Sequence, residues 1–111
     1  MGTQFASGNM PAPGGMPGGR MVVSSKGTTP GTGVVWAVYP VQGNANSKVV
    51  QGALVAYDAT ALNGTALKQL FHSEAKPANS LGNFAKYATP VVANGRVYVG
   101  TFSRKVVQYG L

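Results

Sequence analysis

One dipeptide constrains this chain more than any other feature. Asn94-Gly95 stands between Val91-Val92-Ala93 and Val97-Tyr98-Val99, two apolar β-type runs. Both central residues of a type I′ turn need positive φ, and Asn-Gly meets that need at least steric cost. The spacing predicts a β-hairpin over residues 89–102. The same texture fills most of the chain. Residues 21–25 (MVVSS), 33–39 (GVVWAVY), 53–58 (ALVAYD), 67–72 (LKQLFH), 89–93 (TPVVA), 96–102 (RVYVGTF) and 105–109 (KVVQY) are short runs. They are rich in β-branched and aromatic residues, as strands are. Turn residues punctuate them: 26–32 (KGTTPGT) is a loop, Pro40 stops the second run, and 42–48 and 73–86 are polar. No window carries apolar residues at i, i+3, i+4 and i+7 for three turns, and the nearest, 60–70, is broken by Gly64. The expected class is all-β, with one short helical turn near Thr60 or Ala75.

Residues 1–20 read differently. Six Gly and three Pro fall among them, so the stretch cannot bury enough apolar surface to offset the entropy of ordering. It is expected to be a flexible segment, with the folded part at 21–111. It lacks the apolar core of a secretory signal, and Ala6 stands where a myristoylation site needs Ser or Thr. No run of about 18 apolar residues exists anywhere, which excludes a transmembrane helix. The chain of 111 residues is long enough for one domain.

Composition removes several function classes. With no Cys, disulfides and thiolate zinc sites are excluded. With only Asp58 and Glu74 as acids, carboxylate metal cages and two-acid mechanisms lose their ligands. The nine Lys and Arg give a net charge of +7. They are scattered, and only Arg104-Lys105 are adjacent. Nucleic-acid binders usually gather positive charge on one face or in one run, so a nucleic-acid partner is not expected.

A faint internal repeat is present. Val34-Val35-Trp36-Ala37 and Arg96-Val97-Tyr98-Val99 each follow a turn glycine, Gly33 and Gly95. Leu54-Val55-Ala56-Tyr57 and Val106-Val107-Gln108-Tyr109 come next, each ending in Tyr. A strand-rich unit recurring with variable loops fits propeller blades. Residues 53–71 (ALVAYDATALNGTALKQLF) add a strand ending Ala56-x-Asp58, a later turn glycine Gly64, and Phe71 closing the next strand. This resembles the signature blade of pyrroloquinoline-quinone-like (quinoprotein-like) β-propellers, in which Trp usually takes the place of Phe71. The Asp-to-Gly spacing is longer here, which implies an inserted turn. Residues 81–111, with the Asn-Gly turn and a last strand ending Tyr109-Gly110-Leu111, look like the final blade of such bacterial proteins.

The resemblance implies antiparallel propeller blades: one complete four-stranded blade over 21–71 and an incomplete last blade over 89–109. A propeller needs about four to eight blades. The resemblance therefore implies a C-terminal piece of a longer propeller, or a degenerate open reading frame, with an extracytoplasmic (periplasmic or secreted) location. The implied role is a structural and protein-interaction module with no activity of its own. The partners are the remaining blades or another chain, and open blade edges invite self-association. Two alternatives accompany it: the end of a quinone-dependent dehydrogenase whose active site lies in other blades, and a cationic surface for acidic polymers. No cofactor is assigned to these residues, because the blade repeat does not itself carry the quinone.

Individual side chains read structurally. Asp58 is expected to close an Asx turn at the end of its strand. Trp36, Tyr57, Phe71, Tyr98 and Tyr109 are expected between blades. His72, Glu74 and Asp58 fall short of a metal site, and His72 is expected at a partly exposed strand end. A Ser73–His72–Asp58 triad is disfavoured because adjacent strand side chains point to opposite faces. Asn63-Gly64-Thr65 is a chance glycosylation sequon, and the glycines 27, 31 and 33 form a loop without the Lys-Ser/Thr of a phosphate site. No catalytic or metal-binding residue is expected.

Overall fold

The computed structural model describes residues 7–8 and 19–110. Among the described residues, seven strands form two antiparallel sheets. The first holds β1 (Arg20–Ser24), β2 (Val34–Pro40), β3 (Gly52–Asn63) and β4 (Ala66–His72), in that order. The second holds β5 (Val91–Ala93), β6 (Arg96–Gly100) and β7 (Val106–Gly110), again in chain order. Between them lie two short 3-10 turns, Ser73–Ala75 and Pro77–Asn79. There is no α-helix among the described residues. No described helix is long and apolar enough to cross a membrane.

The Asn-Gly turn forms as its chemistry dictates. Asn94 has φ 52° and Gly95 φ 70°, the type I′ signs, and Ala93 pairs with Arg96 across them. Gly64 (φ 69°) makes the second tight turn, between Asn63 and Ala66. The helical turn expected near Ala75 is present as 3-10 structure, whereas Thr60 belongs to a strand. Sequence bounds are off at several ends. The largest correction is at Asp58, which does not end its strand: β3 runs on to Asn63. The Asp58 carboxylate accepts the N–H groups of Thr60 and Ala61, both at 2.9 Å. This Asx turn puts an irregularity into the β3–β4 ladder, and pairing resumes at Leu62–Leu67.

Alternation along the strands builds two cores. Trp36, Val38, Leu54 and Ala56 face the second sheet and meet Val97, Val99, Leu81 and Phe84. The opposite face of the first sheet carries Tyr39, Ala53, Val55 and Tyr57, all buried. Each fully buried Leu or Val there contributes about 1.5–3 kcal/mol of transfer free energy. Gly8 sits against the ring of Tyr57, and Ser7 pairs in parallel with Ala66 on the outer edge of β4. The rest of the segment expected to be flexible, residues 1–6 and 9–18, lies outside the described residues.

The second sheet is covered on one face only. Val92, Val97, Val99, Val107 and Tyr109 turn toward the first sheet. On the outer face Val91 is 57% exposed and Val106 is 71% exposed. The two sheets also touch at their first strands, where β1 runs beside β5.

Candidate functional site

The outer edge of β7 is the most conspicuous unfinished feature. β7 pairs with β6 on one side only. Thr101 N–H donates to the Lys105 carbonyl, which fixes the alternation of the ladder. Val107 and Tyr109 then exchange hydrogen bonds with β6, and Val106, Gln108 and Gly110 direct their N–H and C=O groups outward. No main-chain hydrogen bond reaches this edge among the described residues.

Beside that edge lies an aromatic groove of about 290 Å³, lined by Trp36, Phe71, Asn79, Gln108, Tyr109 and Gly110. Its walls are held in place. Phe71 and Tyr109 meet edge to face at 5.5 Å, the Tyr109 hydroxyl donates to the Asn79 carbonyl at 2.9 Å, and Trp36 Nε1 donates to Ser24 Oγ at 3.0 Å. Burial raises the Tyr109 phenol pKa, and the charge of Glu74 adds to the effect. Trp36, Phe71 and Tyr109 thus pack between the sheets, as their aromatic character suggests. Tyr57 packs on the far face of the first sheet, with Tyr39 and Val55. Tyr98 pairs with Val91 and Gln108 and so lies on the outer face of the second sheet.

The connection between the sheets is organised by Glu74. Its carboxylate accepts hydrogen bonds from Ser73 Oγ, Gln51 Nε2, Ser80 Oγ at 2.8 Å and the Leu81 N–H at 3.0 Å. Ser73, fully buried, accepts the Leu54 N–H in turn. Burial pushes the Glu74 carboxyl pKa up, but the four donors outweigh it and hold it below its usual value. The sequence gives no signal for this role, because its donors come from three separate segments.

The triad reading fails on geometry. His72 ends β4, partly exposed, and its Nδ1 accepts the Glu74 N–H at 3.1 Å. His72 pairs with Val55, three residues along β3 from Asp58, a separation of about 10 Å at strand rise. Ser73 is committed to Glu74 and Leu54. Hydrogen bonds from Thr60 and Ala61 hold the Asp58 carboxyl below its usual pKa. No group of three or more His, Asp or Glu could hold a metal among the described residues.

A second groove forms at the loop end shared by the two sheets. Residues 82–84 run between the loops 41–51 and 101–105. Phe84 N–H donates to Val50, Gly52 N–H to Gly82 and Phe102 N–H to Asn83. A side chain at Gly52 would meet the Cβ of Phe84 at 3.1 Å, so glycine permits this close approach. The groove has a volume of about 480 Å³, and its walls include Lys48, Lys86, Phe84, Tyr87 and Phe102.

Tyr39 supplies a stability test. It is buried, and its hydroxyl has no hydrogen-bond partner among the described residues. Burial raises its pKa, with a further contribution from Tyr57. A buried hydroxyl without a partner costs about 1–3 kcal/mol. Tyr39→Phe is therefore expected to stabilise the fold by about 1 kcal/mol in urea unfolding. A loss of stability would show that the hydroxyl has a partner.

No protein family, no curated protein and no solved structure matches this chain.

Proposed function

We propose that this chain is a structural and protein-interaction module, two consecutive sectors of a quinoprotein-like β-propeller, that works by accepting an extended strand on the open edge of β7. The observation that carries this reading is the conjunction at β7: outward main-chain groups of Val106, Gln108 and Gly110 beside the groove of Trp36, Phe71 and Tyr109. Main-chain groups give a pairing strand its affinity, and a neighbouring pocket gives it side-chain selectivity. Three further features support the propeller part. The first sheet is a four-stranded antiparallel meander, the second has three strands in the same order, and the first strands of the two sheets lie side by side. The exposed Val91 and Val106 on the outer face of the second sheet fit a covering neighbour.

Without another partner, the edge is expected to pair with a second copy. Sedimentation velocity should show association rising with protein concentration. Gln108→Pro removes an outward N–H that β6 does not use, so the sheet survives and the edge is blocked. The variant should remain monomeric with an unchanged far-UV circular dichroism spectrum. A wild-type chain that stays monomeric at every concentration, or a Gln108→Pro variant that associates equally well, overturns the reading.

A further inference from the structure

The loop-end groove has no part in strand addition, and its chemistry differs from that of the β7 edge. Tyr87 is 55% exposed and Phe102 is 63% exposed, on a scaffold of paired main chain. Lys48 and Lys86 line the same groove, with Lys86 Nζ 3.3 Å from Asn46 Oδ1. The Arg20 guanidinium lies over the Tyr87 ring, 5.2 Å from its centroid. Arg104 and Lys105 extend the loop that carries Phe102, and both are exposed. Five of the nine basic residues therefore belong to this groove, to Tyr87 or to the Phe102 loop. The sequence scatters them from position 20 to position 105.

No Asp or Glu lines the groove. The hydrogen-bond donors of Asp58 are Thr60 and Ala61, and those of Glu74 are Gln51, Ser73, Ser80 and Leu81. Both acids are held by these donors and neither lines the groove, so the chain keeps its net charge of +7. Exposed rings beside ammonium groups match a ligand that alternates flat bases with phosphates. An acidic peptide would use the cations and leave the rings idle. A free nucleotide would use the groove and leave Arg104 and Lys105 idle.

We infer that this groove binds single-stranded nucleic acid, with a base stacked on Phe102 or Tyr87 and phosphates held by Lys48 and Lys86. Stacking platforms flanked by cations bind single strands with little sequence preference and strong salt dependence.

The test is fluorescence anisotropy of a labelled thymidine oligonucleotide of about eight nucleotides, titrated with the full chain at low salt. Binding is expected. Phe102→Ala should weaken it about tenfold, the scale of one lost stacking contact. Lys48→Gln combined with Lys86→Gln should flatten the plot of log affinity against log salt by about 1.4, for two lost phosphate contacts. Phe102 is exposed, so its replacement leaves the core intact, and circular dichroism checks this. Three results each overturn the inference: no binding at low salt, equal binding of polyglutamate with no effect of Phe102→Ala, or thymidine monophosphate binding as tightly as the strand. The Gln108→Pro variant should bind the oligonucleotide like wild type, which separates a failure here from a failure of strand addition.

Discussion

Leu54→Ala is expected to destabilise the chain by about 3 kcal/mol, because buried Leu-to-Ala changes lose both transfer free energy and packing. Leu54 is fully buried in the contact between the sheets, among Trp36, Val97 and Val99. A domain of this size has only about 5–15 kcal/mol of stability in total. The loss should lower the thermal midpoint by about 12–24 °C, at about 4–8 °C per kcal/mol. Leu70→Ala is the control. Leu70 is half exposed on β4, and its loss should cost under about 1 kcal/mol. Calorimetry on the two variants reads the difference. Equal shifts would mean that the two sheets do not share one core.

Glu74→Ala should produce the second largest loss, about 2 kcal/mol. One carboxylate here serves four donors from the β2–β3 loop, the end of β4 and the crossing segment. Each charged hydrogen bond contributes about 1.5–3 kcal/mol, but solvent reaches the exposed ends at Gln51 and Ser80, which reduces the sum. The same carboxylate makes stability depend on pH. Its folded pKa lies below the ordinary value of 4.5, so the unfolded chain takes up the proton first as pH falls. The contribution is complete above the ordinary value and is lost as pH drops through it toward the folded pKa. Urea midpoints measured across that window should fall for wild type. Glu74→Gln should flatten most of the decline, with Asp58, whose pKa is also lowered, supplying the remainder. A Glu74→Gln curve parallel to wild type would remove Glu74 from the account.

Both predictions concern the join between the sheets, and this is where sequence reading stops. Strands are legible because their signals are local. Val34, Trp36 and Val38 alternate with their neighbours, and Asn94-Gly95 has one cheap conformation. The Asx turn of Asp58 is equally local. Its consequence is not, because whether β3 stops or bulges depends on Leu67 waiting across the ladder to pair with Leu62. Tyr98 meets a related limit. Alternation assigns it to a face, but only the packing of the sheets decides which face is inside.

An all-β chain of antiparallel hairpins is legible from the residues alone, since backbone preference and period-two alternation act over a few residues. Packing of the sheets, by contrast, makes Glu74 clasp three segments, opens the edge of β7 beside Trp36 and Tyr109, and gathers Arg20, Lys48 and Lys86 near Tyr87. These groups are far apart along the chain. Their meeting is set by how two sheets bury their apolar faces against each other, a long-range balance that no short window of residues contains.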